Sequence, residues 1–397
     1  MGSLPLPLPP NYFLQPELTY EEKNSYIQLA DETTREVISS TILRGGPIAW
    51  TRHSSDAKSK CSIYKGQDPT APAGVMSYMV TMQLEATLAE VTALFAAYTQ
   101  EDLNEYRRTV APDLLEVHQL YVLATPTEQR PNRLVSIKYM VARSLAPSIT
   151  HHRDWCCLDS NRDFESNGRR GFCRAMRSID LACVPSMRET HNFVRAVAYR
   201  SGFVFLEGEP GYINAFQLLQ FDPKGNIPTW LSDIGLKVRC RSFQTMAKLI
   251  SEGRLSRQKL LDDDQLVPKA TRNRCQLCST KFRPIFTPKA RCRACGEVMC
   301  RQCAKHYNVK KNGFIQRVRV CSSCIADVQT RTLRGSLGSP SPPSDLINEI
   351  DSDIIANVKQ VLGEDYELAT TATVGGSYEE LSVFTWDSMP TTRDSSF

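Results

Sequence analysis

The sequence predicts an α+β chain in which a helix-and-sheet unit over 19–255 precedes a small metal-dependent unit over 262–328 and an acidic tail over 329–397. Three observations carry this. Apolar residues recur at helical spacing, then in alternation through a run of strands, then at helical spacing again. Eight of the 14 cysteines arrive as four Cys-x-x-Cys pairs. Charge is also split along the chain: Lys269 to Arg334 hold 16 Lys or Arg against Glu297 and Asp327, whereas Asp345 to the end holds 11 acids against Lys359 and Arg393.

Residues 1–18 are Pro-rich and are expected to form a disordered lead. They lack the basic stretch of a signal peptide, and Leu6 stands where a myristoylation site has Ser or Thr. No apolar run reaches the length of a membrane span, so the chain is expected in the cytoplasm, meeting membranes only at their surface. Thr19 and Glu22 form a capping box, and Tyr26, Ala30, Thr33, Val37 and Ile38 then recur on one side of a helix reaching about Leu43. Gly45, Gly46 and Pro47 end it. Strands follow over 48–52, 61–64 and 75–84; in the last, Met76, Tyr78, Val80, Met82 and Leu84 alternate and should line an interior.

Two helices are expected over 88–98 and 102–107, then strands over 117–124, 134–143, 153–158, 171–180, 193–207 and 212–221. Asp222-Pro223-Lys224-Gly225 is a turn signal. A closing helix from about Thr229 to Glu252 carries Trp230, Ile234, Val238, Met246 and Ile250. Cys61, Cys156, Cys157, Cys173, Cys183 and Cys240 show no framework spacing and read as free thiols in a reducing compartment.

The pairs Cys275/Cys278, Cys292/Cys295, Cys300/Cys303 and Cys321/Cys324 each have the two-residue gap that lets both thiolates reach one tetrahedral zinc at about 2.3 Å. Eight such ligands make two closed sites. Only 13, 4 and 17 residues separate the pairs, too few for an independent apolar core, so two Zn2+ ions are expected to stand in for it. The module carries +14 before metal, and about +10 once each four-thiolate zinc site contributes a formal 2−.

The all-cysteine frame, with four residues between Cys295 and Cys300 and with Arg293-Ala294-Cys295-Gly296 and Arg319-Val320-Cys321 around it, resembles the FYVE zinc finger over about 266–324. The resemblance implies cross-braced sites: Cys275, Cys278, Cys300 and Cys303 on one zinc, Cys292, Cys295, Cys321 and Cys324 on the other. It implies a phosphoinositide headgroup site using Lys289, Arg291, Arg293 and Arg319, and a tip, Ile285 and Phe286, that enters the bilayer. The family's Trp-x-x-Asp element falls on Leu266-Val267-Pro268-Lys269, and its His pair on Ala290-Arg291, so the residues that select the 3-phosphate are missing. The element order over about 20–252, with Gly225-Asn226-Ile227-Pro228-Thr229-Trp230 leading into the closing helix, resembles the START lipid-transfer domain. That resemblance implies a helix-grip fold, with a curved antiparallel sheet gripping a long C-terminal helix around one apolar lipid.

Competing readings stand beside these. Ile285 or Phe286 could instead fill the zinc module's core. Arg195, Glu207 and Glu209 could place charge inside the lipid tunnel or lie on exposed strand faces. His151 and His152 have no partner at ligand spacing and read as polar residues ahead of a strand. Scattered aromatics disfavour nucleic acid as the partner of the basic module. No catalytic motif occurs, so an enzyme is not expected. Function thus reads as a zinc-dependent peripheral membrane protein, on endosomal or other anionic membranes, that binds or transfers a lipid. The alternative is a non-enzymatic adaptor whose finger binds protein. Ser344 can cap an acidic helix over about 344–362 with Ile347, Ile350, Ile354, Val358 and Val361 on one side, and the tail after Gly363 is expected to be disordered. The helix either lays its acids against the basic module or docks its isoleucine stripe on the helix-and-sheet unit.

Overall fold

The Thr19 hydroxyl accepts from the Glu22 N–H at 3.1 Å while the Thr19 N–H donates to the Glu22 carboxylate at 2.8 Å, the expected capping box. Helix α1 (Tyr20–Ser40) follows. The computed structural model describes residues 6–9, 11–56, 61–225, 227, 231, 234–235 and 245–336. Beyond α1 come β1 (Ala49–Asp56), β2 (Cys61–Gln67), β3 (Met76–Glu85), α2 (Leu88–Ala93) and α3 (Gln100–Thr109), the two helices capped by Thr87 and Thr99. Then come β4 (Leu114–Ala124), β5 (Leu134–Ala142), β6 (Arg153–Ser166), β7 (Arg169–Ser178), the single turn α4 (Arg188–His191), β8 (Val194–Arg195), β9 (Val197–Glu207) and β10 (Tyr212–Asp222).

Among the described residues these strands make one ten-stranded sheet in the order β1-β2-β3-β10-β9-β7-β6-β5-β4, with β8 beside β6. Every pairing on that path is antiparallel, and only β8 runs parallel to its neighbour. The path joins β3 to β10, which brings the first three strands beside the last two.

Register sorts the side chains onto two covered faces. On one, Tyr78, Val80, Met82, Phe172, Phe205 and Ala215 pack with Val91 of α2, Phe95, and Met246 and Ile250 of α5 (Met246–Ser256). On the other, Val37 of α1 packs on Met79, Cys173, Val204 and Leu218. That second cover explains why β3 is buried on both sides and not only at the alternating positions.

The stretch expected as a disordered lead is instead packed where it is described. Leu8 and Phe13 are buried with Val135, Ile137 and Tyr139, and Tyr121 donates to the Pro16 carbonyl at 2.8 Å. Its prolines limit the entropy lost on ordering, and the two apolar side chains cover what would be an open patch of sheet. The expected closing helix lies mostly outside the described residues; α5 overlaps its last stretch, from Met246 to Glu252. Cys240, the tail over 337–397, its acidic helix and its expected contact with the basic module also lie outside them.

The cysteine-rich part contains β11 (Lys289–Arg291) paired with β12 (Val298–Cys300), β13 (Ala304–Lys311) paired with β14 (Phe314–Cys321), and α6 (Ser322–Ser336). Its apolar cluster, including Val309, Val318, Val320 and Val328, also contains Leu255 of α5, which is 0% exposed. Helix α5 therefore belongs to two cores: Met246 and Ile250 enter the sheet's, Leu255 the cysteine module's. Arg254 fixes it to α2 through two bonds to Glu90, at 2.7 and 2.8 Å, and one to the Glu85 carbonyl at 3.0 Å.

Candidate metal centre and lipid-binding surfaces

The pairs Cys292/Cys295 and Cys300/Cys303 sit where a strand gives way to a short turn, Cys275/Cys278 lie in a turn beside the Arg274–Lys281 bridge, and Cys321/Cys324 span the step from β14 into α6. Cys300 ends β12, Cys321 ends β14, and Cys292 follows β11. Gly296, at φ +82, takes the left-handed conformation that turns the chain back after Cys295. The sulfurs of Cys275, Cys278, Cys300 and Cys303 lie within 4.8 Å of one another, as do those of Cys292, Cys295, Cys321 and Cys324. The two sets interleave along the chain, first with third pair and second with fourth.

The donor set fits zinc. A tetrahedron with Zn–S distances of about 2.3 Å has sulfur–sulfur edges of about 3.8 Å, and the Cys278 and Cys300 sulfurs are 3.8 Å apart. Backbone N–H groups also point at the sulfurs: Cys300 N–H at Cys275 Sγ (3.3 Å), Cys303 N–H at Cys300 Sγ (3.4 Å) and Cys321 N–H at Cys292 Sγ (3.3 Å). Such donors offset thiolate charge and fix the sulfurs' direction. Each tetrad could hold one zinc ion. Among the described residues these are the only groups of three or more His, Cys, Asp or Glu so placed, and His152 instead accepts from the Ser144 N–H at 3.0 Å.

The turret between the first two pairs is closed by Arg283 and Thr287, whose N–H groups donate to each other's carbonyls at 3.3 and 3.0 Å. At its tip Ile285 is 83% exposed and Phe286 81%, so neither fills the module's core. Each of the four cations expected at the headgroup site has a partner within the chain. Lys289 lies over the Phe282 ring and donates to the Lys269 carbonyl at 2.8 Å; Arg319 donates to the Ala304 carbonyl at 2.9 Å. Arg291 and Arg293 both reach Asp263 Oδ1, each at 3.1 Å. Partial burial and the neighbouring Arg319, Arg317 and Arg301 pull His306 below the usual histidine range, a sign of crowded positive charge on this face.

Inside the sheet domain lies a charged cluster that sequence reasoning missed. Lys138, Asp159 and Arg174 share the face covered by α2, α3 and α5, and all are buried. Lys138 Nζ donates to Asp159 at 2.9 Å, Arg174 donates to both Asp159 oxygens at 3.1 and 2.6 Å, and Arg174 also donates to the Tyr106 hydroxyl at 2.7 Å. Burial pushes the Asp159 carboxyl up, but Arg174 and Lys138 outweigh it and hold it below the usual range. Burial wins at Lys138, with Arg174 adding to it, so that amine is held below its ordinary value despite Asp159. Ser136 Oγ, Asn161 Oδ1 and Gln217 Oε1, on the same face, make no hydrogen bond to protein. The readable signal was a lysine in the middle of Leu134–Ala142, a strand buried at every position.

None of the three tunnel charges weighed from sequence enters this interior. Arg195 binds Asp154 and the Pro185 carbonyl, each at 2.9 Å; Glu207 pairs with Arg170 at 2.6 Å; Glu209 is exposed. Asp263 was also passed over, although three consecutive acids, Asp262 to Asp264, directly precede the basic module.

Residues 49–245 match the family model for the START domain, and residues 265–330 that for the FYVE zinc finger. The chain pairs a START domain with a FYVE zinc finger. Over 83 residues it is 39% identical to hepatocyte growth factor-regulated tyrosine kinase substrate of Drosophila melanogaster, a match taking in 20% of this chain and 10% of that one. The chain thus spans about a tenth of that relative's length. Among solved structures it is similar to human StAR-related lipid transfer protein 5 (13% identity, TM-score 0.45, covering 57% of this chain and 97% of that one). It is also similar to human STARD10 (16% identity, TM-score 0.39, covering 61% and 82%). Helix α5 lies between the two matched ranges and packs into the cores of both, and no helix among the described residues is long and apolar enough to cross a membrane.

Proposed function

We propose that the finger docks this protein on anionic, phosphoinositide-bearing membranes, endosomal ones included, while the START domain holds or moves a lipid that has a polar head. The observation that carries the docking half is the exposure of Ile285 and Phe286, at a tip three residues ahead of Lys289. An apolar tip beside cations is the arrangement that a bilayer interface rewards, each cation near the surface adding about 1 kcal/mol. Lys289, Arg291, Arg293 and Arg319 attract headgroup phosphate. Leu266, at the position of the family's Trp, is buried and offers a headgroup nothing, and Ala290 and Arg291 stand for the His pair. Binding should therefore follow negative charge more than the position of the phosphate on the ring.

For the START half, the supporting observation is polarity at the domain's centre. Ser136, Asn161 and Gln217 offer buried polar atoms beside Lys138, Asp159 and Arg174, next to the aromatic wall of Phe95, Phe203 and Phe205. A ligand with an apolar body and a hydrogen-bonding head suits that combination.

Sedimentation with vesicles of phosphatidylcholine plus each phosphoinositide isomer tests the docking, and native mass spectrometry of the purified chain tests for a bound lipid. Binding that tracks total charge, and a co-purified lipid, are expected. A strong 3-phosphate preference that survives high salt sinks the charge-driven reading, because screening acts on exposed charge beyond about 8 Å.

A further inference from the structure

The β13–β14 hairpin ends in a second apolar tip. Asn312 and Gly313, with φ of 49° and 82°, form the tight turn, and the first two residues after it, Phe314 and Ile315, are 78% and 54% exposed. The finger's core does not use them, because Val309 and Val318 occupy that role lower in the hairpin. Residues 304–321 carry five cations, Lys305, Lys310, Lys311, Arg317 and Arg319, and no acid.

We propose that this tip is a second membrane contact, separate from the Ile285/Phe286 turret, and that the two together set the orientation of the START domain on the bilayer. The proposal rests on the docking reading above. An anionic lipid surface is the occupant that suits both halves of the feature, apolar side chains at the end and, behind them, a hairpin whose own charged residues are all cations. Phe314 faces Lys311 across the hairpin and Ile315 faces Lys310. Lys310 ties the hairpin to the START domain, its Nζ reaching both Glu105 oxygens of α3 at 2.8 and 2.9 Å, and Lys311 ties it to the end of α5 and the residues after it, its Nζ donating to the Ser256 carbonyl at 3.3 Å and to the Gln258 carbonyl. The Lys310 N–H adds a bond to Ser256 Oγ at 2.9 Å. A hairpin tip in the lipid interface therefore carries α3 to the bilayer surface, and α3 supplies Tyr106, which closes over the buried Arg174. The finger would then present the covered face of the START domain to the membrane, in addition to tethering it there.

The test uses the zinc-loaded full chain and vesicles of phosphatidylcholine with phosphatidylserine, with and without phosphatidylinositol 3-phosphate. Phe314→Ser/Ile315→Ser is compared with Ile285→Ser/Phe286→Ser, with zinc content and melting temperature establishing that each variant is folded. Loss of the hairpin pair should weaken partitioning about tenfold, as partial burial of two such side chains implies. In the native chain, vesicles should slow hydrogen exchange at the turn amides of residues 312–314. If only the turret pair matters and those amides exchange as in solution, the second contact does not exist and the docking reading stands. If neither pair alters partitioning, the docking reading fails and takes this inference with it. If the hairpin variant abolishes self-association in solution and leaves vesicle binding intact, the tip is an interface between copies and the proposal is overturned.

Discussion

Asp263 Oδ1 lies 3.1 Å from Arg291 and equally 3.1 Å from Arg293, so one carboxylate oxygen bridges two of the four cations assigned to the lipid headgroup. The Asp263 side chain is 71% exposed, and nothing buried holds it there. A phosphate arriving at these guanidinium groups must displace it. An exposed pair of this kind is worth about 0–1 kcal/mol, so Asp263→Asn should tighten binding to anionic vesicles by up to about fivefold. The gain should shrink as salt rises. Weaker binding by the variant would mean instead that Asp263 orients the two arginines for the headgroup.

The finger and the START domain share α5, and this changes what metal removal should do. Leu255 is buried among Cys275, Cys292 and the hairpin valines, while Glu252 accepts from the Asn308 N–H at 2.7 Å. Two zinc ions per chain are expected by metal analysis, and chelation should unfold the finger, because four-thiolate sites supply folding free energy that so short a segment lacks. Since the finger's collapse strips cover from the end of α5, chelation or Cys292→Ser should also lower the melting temperature of the START domain. An unshifted START transition would show that the α5 contacts are not energetically coupled.

How much of this was legible beforehand depends on the range of the interaction. The capping box at Thr19, the alternation in Met76–Glu85 and the Cys-x-x-Cys gaps are local patterns, and they appear in the structure as capped helix, strand and sulfur tetrads. Asp263 meeting Arg291, or Leu255 entering the finger, depends on chain segments brought together only by the fold, which one sequence does not display. The lead failed for a related reason: proline content suggested disorder, but Phe13 has a tertiary partner, the Tyr139 ring at 4.7 Å, and packing overrode composition.

The buried trio in the START domain should respond unequally to substitution. Asp159 is the shared anion of two buried cations, so Asp159→Asn leaves Lys138 and Arg174 without a countercharge and should cost about 3–5 kcal/mol. Lys138 differs, because Arg174 alone already binds both Asp159 oxygens, and burial holds the lysine below its ordinary range even with Asp159 beside it. Removing that ammonium also removes a desolvation cost that its partner does not fully offset, so Lys138→Met should be neutral or stabilising. The pH dependence has a definite sign. The Asp159 carboxyl is held below its ordinary 3.8, so its contribution is complete above that value and is lost as pH falls through the lowered one. Lys138, held below its ordinary 10.5, binds fewer protons folded than unfolded, so its effect on stability likewise rises with pH. Urea titrations of the native chain, Asp159→Asn and Lys138→Met across the acidic and alkaline ranges check both signs. Lys138→Met should leave the acid limb in place and remove the alkaline rise. A Lys138→Met variant as damaged as Asp159→Asn would mean that the lysine, and not only the arginine, is needed to neutralise Asp159.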